Sequence, residues 1–215
     1  MAKQARAQAT RQRILEGAAG VFEEHGYAAT TMAEILQRCG VTKGALYFHF
    51  ASKEELARAI LAADETLLSS LVSGDAAALQ VLIDASHGFA RELLANVISR
   101  ASVRLAIEYG TFSGGDFTTH VLWHDGARDL LLKAREEGDL RPEIDVDAAA
   151  GTVVAAFTGA QIVSQAVTRR RDLHERLTNF WSLVLPGIVP SDRLCRFDPA
   201  GAASTGPVPA DYTRV

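Results

Sequence analysis

Between residues 41 and 50 the chain reads VTKGALYFHF. A hydroxyl, an ammonium, a phenol and an imidazole fall at Thr42, Lys43, Tyr47 and His49. What these groups share is hydrogen-bond donation toward anionic oxygens, the chemistry of a phosphate surface rather than of bond cleavage. Gly44 sits among them with no side chain, which lets a polyanion approach the backbone closely. Lys53, Thr30, Thr31 and the arginines Arg6, Arg11 and Arg13 flank the stretch as further donors. Residues 1–53 hold seven basic and four acidic residues, a balance of +3; the remaining chain holds fifteen basic and twenty-two acidic, a balance of −7. A basic front on an acidic body fits one small module meeting a polyanion.

Positioning these groups requires helices. Apolar residues at Ile14, Leu15, Ala18, Val21 and Phe22 recur at helical spacing over 11–24. Thr31 and Glu34 form a capping-box pattern that opens a second helix, and Gly40 closes it. Thr42 caps a third, and Ser52 with Glu55 opens a long fourth. The second and third helices, joined by a tight turn at 39–41, have the helix-turn-helix layout, with the third helix free to enter a major groove. Ile35, Leu36, Val41 and Leu46 are expected to pack the pair, with Phe48 and Phe50 in the core. The same layout serves packing alone in other all-α proteins.

Helical patterns continue over 76–98, 102–109, 118–137, 147–168 and 173–185, with a loop at 110–117 and no strand pattern. The expected fold is all-α: a three-helix helix-turn-helix domain over 1–51, a larger helical domain over 52–189, and a flexible tail over 190–215. The start of the chain is polar and basic, without the apolar run of a secretory signal. The two cysteines, Cys39 and Cys195, match no metal spacing, which suits a reducing, cytoplasmic setting.

Several other chemistries are set aside. His120 and His124 have the four-residue spacing of a zinc pair, but Val121 stands where a metalloprotease needs glutamate, and no third ligand follows. No metal or cofactor is expected. No nucleophile-elbow, P-loop or dinucleotide motif occurs, so no catalytic residue is assigned. Residues 148–168 carry no charge and precede three arginines, as a membrane span would. Gln161 and Gln165 near the middle favour a buried helix instead.

The stretch TTMAEILQRCGVTKGALYFHFASKEELA, with FEEHGYAATT before it, resembles the DNA-binding domain of TetR-family repressors. GVTKGALYFHFxSKEEL is similar in particular to the γ-butyrolactone autoregulator receptors of actinobacteria. The resemblance covers residues 8–62 strongly and the body more weakly. It implies a homodimeric repressor that binds a palindromic operator. A small hydrophobic signal would enter the body, move the fourth helix and release the DNA. It also implies that Trp123 lines the signal pocket, with Thr158 and Gln161 offering polar contacts. In this branch the position of Asp64 often carries glutamine. An ionised aspartate only accepts hydrogen bonds, which points to a hydroxyl-bearing signal, such as a butenolide, or a furan. The dimer seam would use Val163, Val167, Leu177, Phe180, Trp181 and Val184. Two alternatives stay open: a TetR-like regulator of an unrelated drug or metabolite, and an α-helical enzyme acting on a small molecule.

Overall fold

The computed structural model describes residues 2–71, 76–112 and 118–201. The described residues form α-helices and one 3-10 turn, with no strand. The helices are α1 (Ala2–Ala29), α2 (Met32–Cys39), α3 (Lys43–His49), α4 (Lys53–Leu71), α5 (Ala78–Ala95), α6 (Val97–Phe112), α7 (Thr118–Glu136), α8 (Val146–Thr168) and α9 (Leu173–Ile188). Residues 110–112 of the expected loop are instead the end of α6, while 113–117 of that loop and 202–215 of the expected tail lie outside the described residues. So does the His120 side chain.

Two compact units form. One combines Met1–Leu67 with Asn96–Thr119, the other Leu68–Ala95 with His120–Val215. The first unit reaches beyond residue 51 because α4 and α6 help to build its core. Leu56, Ala57 and Ile60 from α4, and Ile98, Ala101 and Leu105 from α6, pack with Ile14, Ala18 and Phe22 of α1, Ile35 of α2 and Leu46 of α3. A single helix running to residue 98 was expected; it breaks at Asn96, whose Oδ1 accepts the Ile98 amide at 2.9 Å and starts α6 afresh. Within α1, Gly26 adopts φ 76° and ψ 177°, a conformation open in practice only to glycine, and the helix kinks there. A carboxylate–guanidinium network ties this kink to α6. The Tyr27 amide donates to Glu108 Oε2 at 2.7 Å, Arg104 Nε donates to Glu108 Oε1 at 2.7 Å, and Arg100 Nε donates to Glu23 Oε1 at 2.7 Å.

The second unit closes around Leu79, Ile83, Leu131, Ala134, Ala150, Trp181 and Leu185. Residues 190–201, expected in the tail, fold onto it. Phe197 is buried, and Arg193 and Arg196, flanking and ending the 3-10 turn, both donate to the fully buried carboxylate of Asp139. The Gln80 side chain exchanges hydrogen bonds with the Asp198 backbone. Asp139→Ala strands both guanidiniums, although each stays partly in water. We expect a loss of about 1–3 kcal/mol, read by denaturant melts, with the 194–201 segment exchanging its amides faster.

His87 of α5 and His174 of α9 stack with ring planes 2° apart and Nδ1 atoms 3.1 Å apart. Since the Pro199 carbonyl only accepts, His87 carries its proton on Nε2 and takes a hydrogen bond from His174 at Nδ1. Burial pushes both imidazoles below the ordinary value of 6.5. Arg91 adds to the lowering at both, while Asp84 and Asp198 oppose it at His87. The pair's contribution to stability is therefore present above pH 6.5 and is lost as pH falls through that value toward the folded ones. The melting temperature is expected to drop between pH 7 and 5, and His87→Gln to flatten that dependence.

Candidate nucleic-acid interface and signal site

The α2–α3 unit is built by its caps. The Thr31 amide donates to Glu34 Oε2 at 2.8 Å, and Thr31 Oγ1 accepts from the Glu34 amide at 3.3 Å. Gly40 takes the left-handed conformation (φ 59°) and its amide donates to Leu36 O. Thr42 Oγ1 then accepts the Ala45 amide at 3.2 Å and starts α3. Ile35, Cys39 and Leu46 are buried, which fixes the rotation of α3 about its axis. Lys43, Gly44, Tyr47 and Phe48 are left outward. Phe48, expected in the core, is 81% exposed. Two residues past Leu46 it points roughly 200° around the helix from the packed face. Phe50 lies at the C-cap, off the helical path, and turns inward under Arg11, whose guanidinium carbon is 4.9 Å from the ring centroid.

The remaining expected phosphate donors divide. Arg6 is exposed on α1, and His49 is half-buried, edge-on to Phe48 at 5.1 Å. Thr30 is not a surface donor: it is buried, and its hydroxyl donates to Gly26 O at 2.6 Å. Thr31 is exposed, but its hydroxyl donates to Glu34 Oε2 at 2.8 Å. Lys53 braces the first unit, with Nζ donating to Tyr27 O at 2.7 Å while lying 4.4 Å from the Tyr27 ring centroid. Arg13 reaches Gly40 O. The outward edge is therefore narrower than the sequence implies, and it centres on α3.

In the second unit, Trp123 of α7 meets Phe89 of α5 edge-to-face at 5.7 Å, and Phe89 also meets Phe157 of α8 at 5.6 Å. The three rings form an apolar aromatic cluster that joins α5, α7 and α8. Phe89 was missed from sequence, because only the packing of α5 brings it beside Trp123. Thr158 follows Phe157, and its hydroxyl donates to Val154 O at 2.8 Å. Gln161 is buried, and its Oε1 accepts from Arg170 Nη2 at 3.4 Å, across the α8–α9 turn. Asp64, on α4, is buried and belongs to the first unit.

Helices α8 and α9 are tied at their turn by Asp172, whose carboxylate accepts from Ser164, Thr168 and Arg176. These hydrogen bonds, led by Arg176, hold its carboxyl well below the usual aspartate range. Of the expected seam residues, Leu177 and Trp181 are instead core, and Trp181 Nε1 donates to Ser86 Oγ at 3.0 Å. Phe180 and Val184 are half-buried. Val163 (46% exposed) and Val167 (69%) stand open, as do Ile162 (46%) and Leu183 (81%). Among the described residues α8 is the one helix long and apolar enough to cross a membrane, yet only 22% of its apolar window is buried in the chain. The buried helix expected from sequence is thus uncovered on one face.

Two family models match the chain. The model for bacterial regulatory proteins of the tetR family matches residues 14–60, and the tetracyclin repressor-like C-terminal domain matches residues 76–190. The chain belongs to the TetR family. It is 41% identical over 201 residues to the A-factor receptor protein of Streptomyces griseus, covering 94% of this chain and 71% of that one. Among solved structures it resembles full-length native TylP, a TetR regulator from Streptomyces fradiae, with a TM-score of 0.80 and 41% identity over 97% of this chain and 100% of that one. It also resembles a γ-butyrolactone receptor described as ArpA-like, with a TM-score of 0.76 and 35% identity over 91% and 96% of the two chains.

As a TetR protein the chain is a DNA-binding regulator and not an enzyme. The first family match begins at Ile14 of α1 and ends at Ile60 of α4, so it takes in α2, the turn and α3. The second spans α5 to α9, including Trp123, Phe89 and Phe157.

Proposed function

We propose that the chain is a cytoplasmic, homodimeric repressor that leaves a palindromic operator on binding a small hydrophobic signal of γ-butyrolactone, butenolide or furan type, and so controls secondary metabolism or antibiotic production. The observation that carries this reading is that identity to a named signal receptor runs through 94% of the chain rather than through the reading head alone. Residues 1–51 then contact DNA, chiefly through Thr42, Lys43, Gly44 and Tyr47, with Arg6 and His49 at the flanks. Residues 52–189 hold the signal against Trp123, Phe89 and Phe157 and pair the subunits. The open apolar residues of α8 and α9 suit a two-helix contribution from each subunit to a dimer bundle.

Release is a population shift: the signal binds the DNA-incompetent arrangement more tightly than the competent one. The aspartate at position 64, where the resembling branch often carries glutamine, supports a second reading: a regulator of this family tuned to a different metabolite.

Gel-shift titration with palindromic duplexes at fixed salt tests the reading. Lys43→Ala is expected to weaken binding to all duplexes and to lower the salt slope by about one. Trp123→Ala is expected to retain operator affinity and to lose release by a γ-butyrolactone. Release at the wild-type concentration in that variant removes Trp123 from the signal site.

A further inference from the structure

We propose that Phe48 reads the C5-methyl group of a thymine in each operator half-site, and so sets part of the sequence preference. This rests on the reading of α3 as the groove-entering helix.

The ring is 81% exposed while its neighbours in the motif, Leu46 and Phe50, are at 0% and 1%. The scaffold is therefore held by those two residues, and the fold draws no core packing from Phe48. Its one described ring contact is the edge of His49 at 5.1 Å. On the helix wheel Phe48 and Gly44 form the ridge farthest from Leu46, at roughly 200° and 160° from it. A side chain at Gly44 would meet no protein atom within 4 Å, so the ring stands beside an open notch. Lys43 and Tyr47 lie along the same helix, and no acidic residue occurs over 43–49.

The chemistry narrows the partner. A phenyl ring neither donates nor accepts conventional hydrogen bonds, so it has no purchase on a phosphate oxygen or on the polar edges of guanine, adenine or cytosine. In the major groove the thymine methyl is the apolar feature a side chain can meet. Lys43, Thr42 and Tyr47 supply backbone-directed contacts, and Phe48 adds a contact that depends on sequence.

The test uses full-length protein and a duplex selected by the wild-type chain from a random palindromic pool. Each thymine is replaced in turn by 2′-deoxyuridine, which lacks only the methyl. Wild type is expected to lose about fourfold in affinity when one position is changed in one half-site, and about fifteenfold when it is changed in both. Phe48→Ala is expected to bind thymine and deoxyuridine duplexes equally, near the wild-type affinity for the deoxyuridine form, with an unchanged salt slope. Phe48→Leu is expected to recover part of the discrimination. Specific binding with no deoxyuridine effect at any position, or the same effect in Phe48→Ala, overturns the assignment to Phe48 alone. Failure of the wild-type chain to select any sequence overturns the DNA-reading assignment of α3 itself.

Discussion

Gly26→Ala is expected to destabilise the protein by about 3 kcal/mol, lowering the melting temperature by roughly 6–12 °C for a chain of this size. Two separate costs add. The backbone at φ 76°, ψ 177° lies in a region that a Cβ disfavours by about 1–3 kcal/mol. A Cβ there would also lie 2.8 Å from Glu108 Cδ and press on both carboxylate oxygens. Those oxygens are held by the Tyr27 amide and Arg104 Nε, each at 2.7 Å, so the carboxylate can retreat only by giving up one of these bonds. Pushing it aside leaves the Tyr27 amide without its acceptor, at about 1–3 kcal/mol more if the amide stays dry. The double variant Gly26→Ala, Glu108→Ala separates the terms. It is expected to cost less than the sum of the single variants, because the clash exists only when both side chains are present. Strict additivity would mean that backbone strain alone carries the effect.

The N-terminal helices were legible because their ends are written locally. Thr31 and Glu34, three residues apart, form the full reciprocal capping box, whereas Ser52 Oγ accepts the Glu55 amide while the Glu55 carboxylate takes the Ala51 amide instead of the Ser52 one. The helical spacing over 11–24 ends short of Gly26 and says nothing of the kink there. Its partner Glu108 stands 81 residues from Tyr27 in the chain, and no local pattern connects them. Adjacent residues of the same type also defeat sequence reading where a helix begins. Thr30 faces in and Thr31 faces out, and the difference depends on the kink before them. Phe48 and Phe50 invert the expectation for a related reason. Alternation suggests that both share a face, but the first is on the helix and the second is past its end. In the body, composition marked α8 as apolar without saying which face stays open. Leu177 and Trp181, expected at the seam, are core, where Ser86 of α5 supplies the indole's acceptor.

Gly44→Ala is expected to separate folding from DNA recognition more sharply than any other single change. In the free protein the added methyl meets no heavy atom within 4 Å, so it creates no clash. Alanine is also the better helix former, by about 0.8–1.0 kcal/mol in a helix interior, so stability should rise by up to that amount. On the operator the balance reverses. Gly44 lies on the outermost ridge of α3, opposite buried Leu46, where a bare backbone lets the helix sit deep in the groove. A methyl in a close-packed interface costs about 1–3 kcal/mol, which is roughly fivefold to more than a hundredfold in affinity. Fluorescence anisotropy on the selected operator, beside a thermal melt of the same preparation, reads both quantities. Binding to unrelated duplex should change little, since a loosely seated, salt-driven complex has room for a methyl. A variant that melts higher and binds the operator as wild type does would show that this ridge of α3 does not face the DNA. A variant that melts lower would show that the space beside Gly44 is occupied in the protein itself.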